Sequence, residues 1–251
     1  MSSSFSVIAT DRGILPFGGT VDETPIYRAH NSFLELEQQA TIESCDMSWR
    51  TKIAFTLDDV LSPEECSTLI KLTESMGFNP AAPGIQTPPG MRQNQTVHWI
   101  ANEADTAEIY RRIHSYLPQN IDGMTLDRRI SQRFNTYRYI DGEVFKPHVD
   151  GDWPGYGISE SGELETWQDS RSMLSMLLYL NGEKEGVQGG DTILFDERCE
   201  RHRITPKAGR ALFFRHGIHE KSVVHAGDRV IGEVPKYVVR INIMYCPYRL
   251  V

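Results

Sequence analysis

The sequence predicts a mainly β domain with helices on one flank, built as an antiparallel sandwich or barrel. Two helical patterns come first, and from about Arg129 the texture turns to short strands separated by turn signals. The chain is 251 residues long, a length that suits one large β domain. Such a chain buries roughly 70–75% of its unfolded surface and needs no disulfide or metal to fold. We expect residues 1–50 to form an extension packed on the body and 51–251 a single domain. Within it, 51–128 is helical support and 129–247 the strand-rich core.

Up to about Asp46 the apolar residues show no sustained period, which reads as an arm or strand extension. The first helix is strongly signalled. Ser62-Pro63-Glu64-Glu65 supplies an N-cap, a proline at the first position and a capping-box glutamate, and Gly77 can end it. Cys66, Leu69, Ile70, Thr73 and Met76 fall on one face. Asn79–Gly90 is a loop by composition. A second helix is expected from Asp105 to Leu117, with Glu108 completing a capping box and Pro118 as the stop. Strands follow at Arg133–Tyr139, Arg171–Leu180, Asp191–Phe195, Ala211–Arg215 and Tyr237–Tyr245. Asp141-Gly142, Asn181-Gly182, Gly189-Gly190 and Pro206–Gly209 separate them.

Lys and Arg number 26 against 34 Asp and Glu, a formal charge of −8. An acidic surface repels phosphate backbones, so a nucleic-acid partner is not expected. No apolar stretch approaches ~18 residues, so no membrane span is expected. The start, Met1-Ser-Ser-Ser-Phe5, has no basic residue before Arg12 and reads as no signal peptide, which points to the cytoplasm. Cys45, Cys66, Cys199 and Cys246 are scattered and suggest neither a zinc site nor a disulfide framework. Asn94-Gln-Thr96 matches a glycosylation triplet, read as chance without a secretory signal. The oligomeric state is left open.

The chemistry begins at Pro147-His148-Val149-Asp150. On its own an H-x-D tripeptide is no more than chance supplies. Its context adds weight: it follows a strand and turn, and His219 stands just after another strand, Ala211–Arg215. Two imidazoles and one carboxylate on one face of an ion form the facial triad of non-haem Fe(II) oxygenases. Ligands two residues apart at a strand end reach one ion, while the third comes from a distant strand. His216 is the rival third ligand, set aside because it lies nearer the strand body, where packing or support of a ligand suits it better.

At this point the sequence resembles the Fe(II)/2-oxoglutarate-dependent dioxygenases, in their prolyl 4-hydroxylase-like branch. The resemblance covers about Thr51 to Tyr245. It runs through Asp59-Val-Leu-Ser-Pro-Glu-Glu-Cys-Ser-Thr-Leu-Ile70, Tyr139–Asp150, Leu178-Tyr-Leu-Asn181, Gly189-Gly-Asp-Thr192, Pro206–Phe214 and His219. It implies a double-stranded β-helix, or jelly-roll, in agreement with the strand-rich half read independently. It implies His148, Asp150 and His219 as iron ligands, with Fe(II), 2-oxoglutarate and O₂ as cofactor and co-substrates and ascorbate as reductant.

By the same resemblance a basic residue on the last long strand holds the distal carboxylate of 2-oxoglutarate. Period-two alternation puts Lys236, Val238, Arg240, Asn242 and Met244 on one face, so either Lys236 or Arg240 serves. Strand register favours Lys236. Arginine's planar fork ranks Arg240 slightly first. Both stand farther beyond His219 than the family's spacing, so Gly227–Pro235 reads as an insertion. Tyr179 resembles the tyrosine that bonds the same carboxylate, and Tyr139 is expected near the metal. The reaction implied is oxidative decarboxylation of 2-oxoglutarate to succinate coupled to hydroxylation of an unactivated C–H bond. The substrate class stays broad: a peptidyl residue, an amino acid or a small metabolite. Trp153–Gly157 and the loop Pro80–Gly90, with Arg92 and Asn94 beyond it, are candidate walls of its site. The competing reading is a metal-binding jelly-roll without oxygenase activity, of the cupin isomerase or binding type.

Overall fold

The computed structural model describes residues 4–34 and 41–247. The polar start at 1–3, part of the expected extension at 35–40, and the last four residues lie outside the described residues. The chain opens with β1 (Phe5–Ile14) and β2 (Thr20–Ala29), an antiparallel hairpin, followed by β3 (Glu43–Asp46) and β4 (Ala54–Asp58). Helix α1 (Pro63–Met76) has the expected capping box, with Ser62 and Glu65 each accepting the other's backbone N–H. Gly77 ends it at φ 87°, a left-handed value that glycine alone adopts cheaply. After β5 (Gln95–Ile100), α2 (Glu103–Ile113) starts earlier than expected. Asn102 caps it through the N–H of Ala104. Glu108, expected in a capping box, instead faces Arg111 and Arg112, and the last turn tightens into a 3₁₀ helix at His114–Tyr116.

The second half is the barrel. It comprises β6 (Met124–Ile130), β7 (Arg133–Tyr139), β8 (Phe145–His148), β9 (Gly155–Ile158), β10 (Leu164–Trp167), β11 (Arg171–Tyr179), β12 (Thr192–Asp196), β13 (Cys199–Ile204), β14 (Ala211–Arg215), β15 (Val224–Gly227) and β16 (Lys236–Pro247). The large sheet runs β3-β4-β14-β11-β16-β7-β5-β2-β1, with β6 paired to β16. The small sheet runs β8-β15-β12-β13 and faces it, while β9 and β10 form a separate hairpin. This is the jelly-roll that the resemblance implies, an antiparallel sandwich as the strand-rich half predicts, and β1 and β2 extend its large sheet.

Alternation along β16 separates two cores. Tyr237, Val239, Ile241 and Ile243 pack outward with Leu69, Ile109 and Trp99 beneath the helices. Val238 packs inward with Tyr137, Leu177, Tyr179 and Leu194. The helices are tied by charge as well as by apolar contact. Arg112 donates to both Glu65 oxygens at 2.8 and 2.9 Å and to Glu108 at 2.8 Å, and all three side chains are buried. No helix among the described residues is long and apolar enough to cross a membrane.

Candidate active site

Two strands of the small sheet bring the metal-ligating groups together. In the β8–β15 pairing His148 lies directly opposite His225, and residues so paired present their side chains on one face. Asp150 follows two residues beyond His148. One donor atom from each of His148, Asp150 and His225 lies within 4.8 Å of the other two. Both Nε2 atoms point at Asp150 Oδ1, at 3.6 Å from His148 and 3.8 Å from His225.

The imidazoles are oriented by backbone. Nδ1 of His148 faces the Lys146 carbonyl at 2.8 Å, and Nδ1 of His225 faces the Val223 carbonyl at 3.3 Å. Donation through Nδ1–H assigns the tautomer that leaves the Nε2 lone pair free. Burial, with the neighbouring His148, pushes His225 down to about 3, so it is neutral and able to ligate. Burial alone would raise Asp150, but the Arg240 guanidinium, His225 and His148 hold its carboxyl well below the usual range. Two imidazoles and one carboxylate converging on one point are the donor set that fits a divalent iron.

The expectation for His219 is corrected. His219 lies on an exposed turn after β14, where its Nδ1 accepts from the Lys221 N–H. The chain there is held by the Gly217 N–H on the Asp150 carbonyl, then swings outward before re-entering the barrel as β15. His225 is the histidine delivered beside Asp150. A signal for it was present: His225 precedes Lys236 by the shorter interval that His219 violates. Gly227–Pro235 is therefore not an insertion after the last ligand but the link from β15 to β16.

His216 also stands outside the cluster. It is fully buried, and burial lowers it to about 3. Its ring bridges Ser175 Oγ and Ser172 Oγ, each at 2.9 Å. Ser175 gives its only proton to Asp150 Oδ2 at 2.6 Å. It must then accept from His216, which in turn accepts from Ser172. Ser172 accepts the Trp153 N–H at 2.8 Å. One chain of hydrogen bonds thus runs from Trp153 to the carboxylate.

The two basic candidates part company. Arg240 lies in register with Leu177 and Asn135, and its Nε reaches Asp150 Oδ2 at 2.9 Å while NH2 donates to the Gly151 carbonyl. Arg240, ranked first from sequence as the 2-oxoglutarate anchor, is consumed in orienting Asp150. Lys236, in register with Tyr139, is 3% exposed and has no carboxylate in ion-pair range among the described residues. Its ammonium donates to the Gly190 carbonyl and lies over the rings of Tyr139 and Tyr179 at 5.4 and 5.5 Å. A Cβ on Gly190 would meet Lys236 Cδ at 2.9 Å, and Gly190 sits at φ +71°, so this position needs glycine. A cavity runs from the triad inward past Tyr139, Leu177 and Thr192 to Lys236. Tyr179 lies beneath, its hydroxyl donated to Thr192 at 2.7 Å.

A second, outer cavity of about 470 Å³ opens on the other approach to the triad. Both sequence-identified loops wall it, through Ile85, Thr87 and Pro88 on one side and Trp153 on the other, together with Arg92.

A jelly-roll that converges two histidines and an aspartate between two cavities presents the donor set that non-haem iron oxygenases use. Residues 134–244, β7 to β16, match the family model described as the 2OG-Fe(II) oxygenase superfamily. The fold is similar to that of viral collagen prolyl hydroxylase from Paramecium bursaria Chlorella virus 1. The two chains are 20% identical, with a TM-score of 0.51 over 76% of this chain and 95% of that one. A Pseudomonas putida prolyl-4-hydroxylase is 18% identical with a TM-score of 0.49, over 78% of this chain and 93% of that one. A Trichoplax adhaerens prolyl hydroxylase, solved with a hypoxia-inducible-factor peptide, is 16% identical with a TM-score of 0.49, over 77% and 83%. No curated protein matches the sequence. The barrel of this chain is thus similar to the 2OG-Fe(II) oxygenase superfamily over residues 134–244, and its fold is similar to that of the viral prolyl hydroxylase.

Proposed function

We propose that the protein hydroxylates an unactivated C–H bond, with His148, Asp150 and His225 holding Fe(II) and Lys236 anchoring the distal carboxylate of 2-oxoglutarate. The observation that carries this reading is the pair of features at the two ends of the inner cavity. One end has a triad of two histidines and a carboxylate, and the other a buried lysine with no carboxylate in ion-pair range among the described residues. Bound there, iron and 2-oxoglutarate supply the oxidising power: O₂, 2-oxoglutarate and R–H become R–OH, succinate and CO₂.

The chain's own residues orient and charge the site. Arg240 and Ser175 hold Asp150 by Oδ2 at 2.9 and 2.6 Å, leaving Oδ1 toward the histidines. Asp150 fills the third protein position, so no place is left for a halide and hydroxylation is the outcome expected. Phe145 stacks on His148 with ring centroids 3.6 Å apart, and Phe214 packs on His225 at 4.3 Å, which fixes both rings and excludes water. Lys236 supplies the positive charge that a dicarboxylate needs, from a depth that selects a ligand of its length. Four free cysteines, two of them exposed, suit a reducing compartment and support the cytoplasm.

The test is succinate formation by purified protein with Fe(II), ascorbate and 2-oxoglutarate against a panel of peptides, amino acids and metabolites. Iron-dependent succinate release that rises with one class of compound supports the reading. Absence of any iron-dependent succinate overturns it.

A further inference from the structure

We infer that the substrate carries a free carboxylate and an apolar carbon skeleton, and that Arg92 binds that carboxylate in the outer cavity. This rests on the oxygenase reading above and narrows its substrate to organic or amino acids.

Arg92 is 4% exposed and lines the outer cavity together with His148 and Asp150. Nε donates to Asn94 Oδ1 at 2.5 Å, while one terminal nitrogen, NH2, is buried with no hydrogen-bond partner. The plane of the group lies 4.6 Å from the ring centroid of Tyr137 and 5.7 Å from that of Phe145. Phe145 in turn stacks on His148, so the cation stands one ring away from the triad. Arginine stays charged in a protein, and a buried guanidinium is costly unless paired. Cation–π contacts offset part of that cost and leave the outward edge of the fork free.

The cavity's own acids do not answer this charge. Asp150 is held by Arg240 at 2.9 Å, and Asp152 is held by Arg171 at 2.6 Å. No carboxylate lies in ion-pair range of Arg92 among the described residues. The distal carboxylate of 2-oxoglutarate does not answer it either, because that group is assigned to Lys236 in the inner cavity. The two cavities meet at the triad and share Tyr137, Phe145 and Arg240, but Lys236 lines only the inner one and Arg92 only the outer. Each cavity therefore has its own unpaired, buried cation. Arginine's planar fork matches a carboxylate bidentately and discriminates against neutral isosteres.

Apolar side chains line part of the rest of the outer cavity. Met91 and Ile85 line it with Trp153, and Ile218 stands at the rim 94% exposed. The acid's carbon skeleton packs there, which turns a C–H bond toward the triad.

The experiment uses the full chain loaded with Fe(II) and 2-oxoglutarate. Free L-amino acids and short aliphatic acids are each assayed beside their own primary amides, and succinate is measured. The expected result is at least one acid that raises succinate release about tenfold or more while its amide does not, the margin of a lost charge-assisted pair. For that acid, Arg92→Gln raises the KM about 100-fold and Arg92→Lys raises it less, while the rise in KM for 2-oxoglutarate stays several-fold at most. Anaerobic calorimetric titration of the same acid gives the loss of affinity without turnover. Should the variants fail to fold, the acid-against-amide comparison on the unaltered protein still decides. If amides or peptides stimulate as well as the acids, or no acid outperforms its amide, the carboxylate inference is overturned while succinate release keeps the oxygenase reading. If neither succinate nor Fe(II)–2-oxoglutarate binding is observed, the oxygenase reading fails and this inference with it.

Discussion

Replacing Lys236 with methionine should stabilise the ligand-free protein while destroying its hold on 2-oxoglutarate. Burial pushes the Lys236 ammonium from the usual 10.5 down to about 8, against the opposing attraction of Asp191 and Asp228. Each pKa unit is worth about 1.4 kcal/mol, so keeping this lysine charged at pH 7 costs the folded state about 3 kcal/mol. Because the folded pKa is depressed, the penalty is complete below about pH 8. It shrinks as pH rises toward 10.5, where the unfolded chain also loses its proton. Lys236→Met keeps the apolar stem and removes the charge. It also strands the Gly190 carbonyl, a loss of about 1 kcal/mol. The net expectation is a gain of about 2 kcal/mol at pH 7 that falls to near zero by about pH 9.5. Equilibrium urea unfolding of the metal-free proteins at the two pH values measures it. In parallel, 2-oxoglutarate affinity should fall about 100-fold, the worth of one buried charge-assisted contact. A variant less stable than wild type at pH 7, or a margin indifferent to pH, refutes the unpaired buried cation. Unchanged 2-oxoglutarate affinity refutes its role as anchor.

Two further outcomes follow from contacts on the page. Ser175→Ala removes the hydroxyl that links His216 to Asp150 and should weaken Co(II) binding about 10- to 100-fold, read from the cobalt absorption spectrum; an unchanged dissociation constant removes the hydrogen-bond chain from the account. Arg112→Ala removes the guanidinium that pairs with the buried Glu65 carboxylate and should cost about 3–5 kcal/mol in urea unfolding, with little change in metal affinity.

The barrel was legible because its strands alternate cleanly. Lys236 to Met244 could be assigned to one face from residue types alone, and the pairing of Lys236 with Tyr139 bears out that face as interior. Likewise α1 announced itself through a capping box, a purely local device. The third histidine was not legible in the same way. His219 and His225 both follow β14, and which one enters the site depends on where the chain turns back into the small sheet. That turn is fixed by long-range contacts, the Gly217 N–H on Asp150 and the pairing of β15 with β8. The choice between Lys236 and Arg240 stayed open in the sequence for a related reason. Both point inward, and only the distance from Asp150 shows that Arg240 is already spent. Arg92 was visible as a loop residue, but its burial without a carboxylate is a property of the packed cavity.

The central claim is that His148, Asp150 and His225 form the iron site and that His219 does not. Anaerobic titration of Fe(II) into the protein with 2-oxoglutarate tests it most directly, through the metal-to-ligand charge-transfer band that appears only when both bind one site. The account predicts the band in wild type and in His219→Ala, and its loss in His225→Ala. A band that survives in His225→Ala and vanishes in His219→Ala contradicts it.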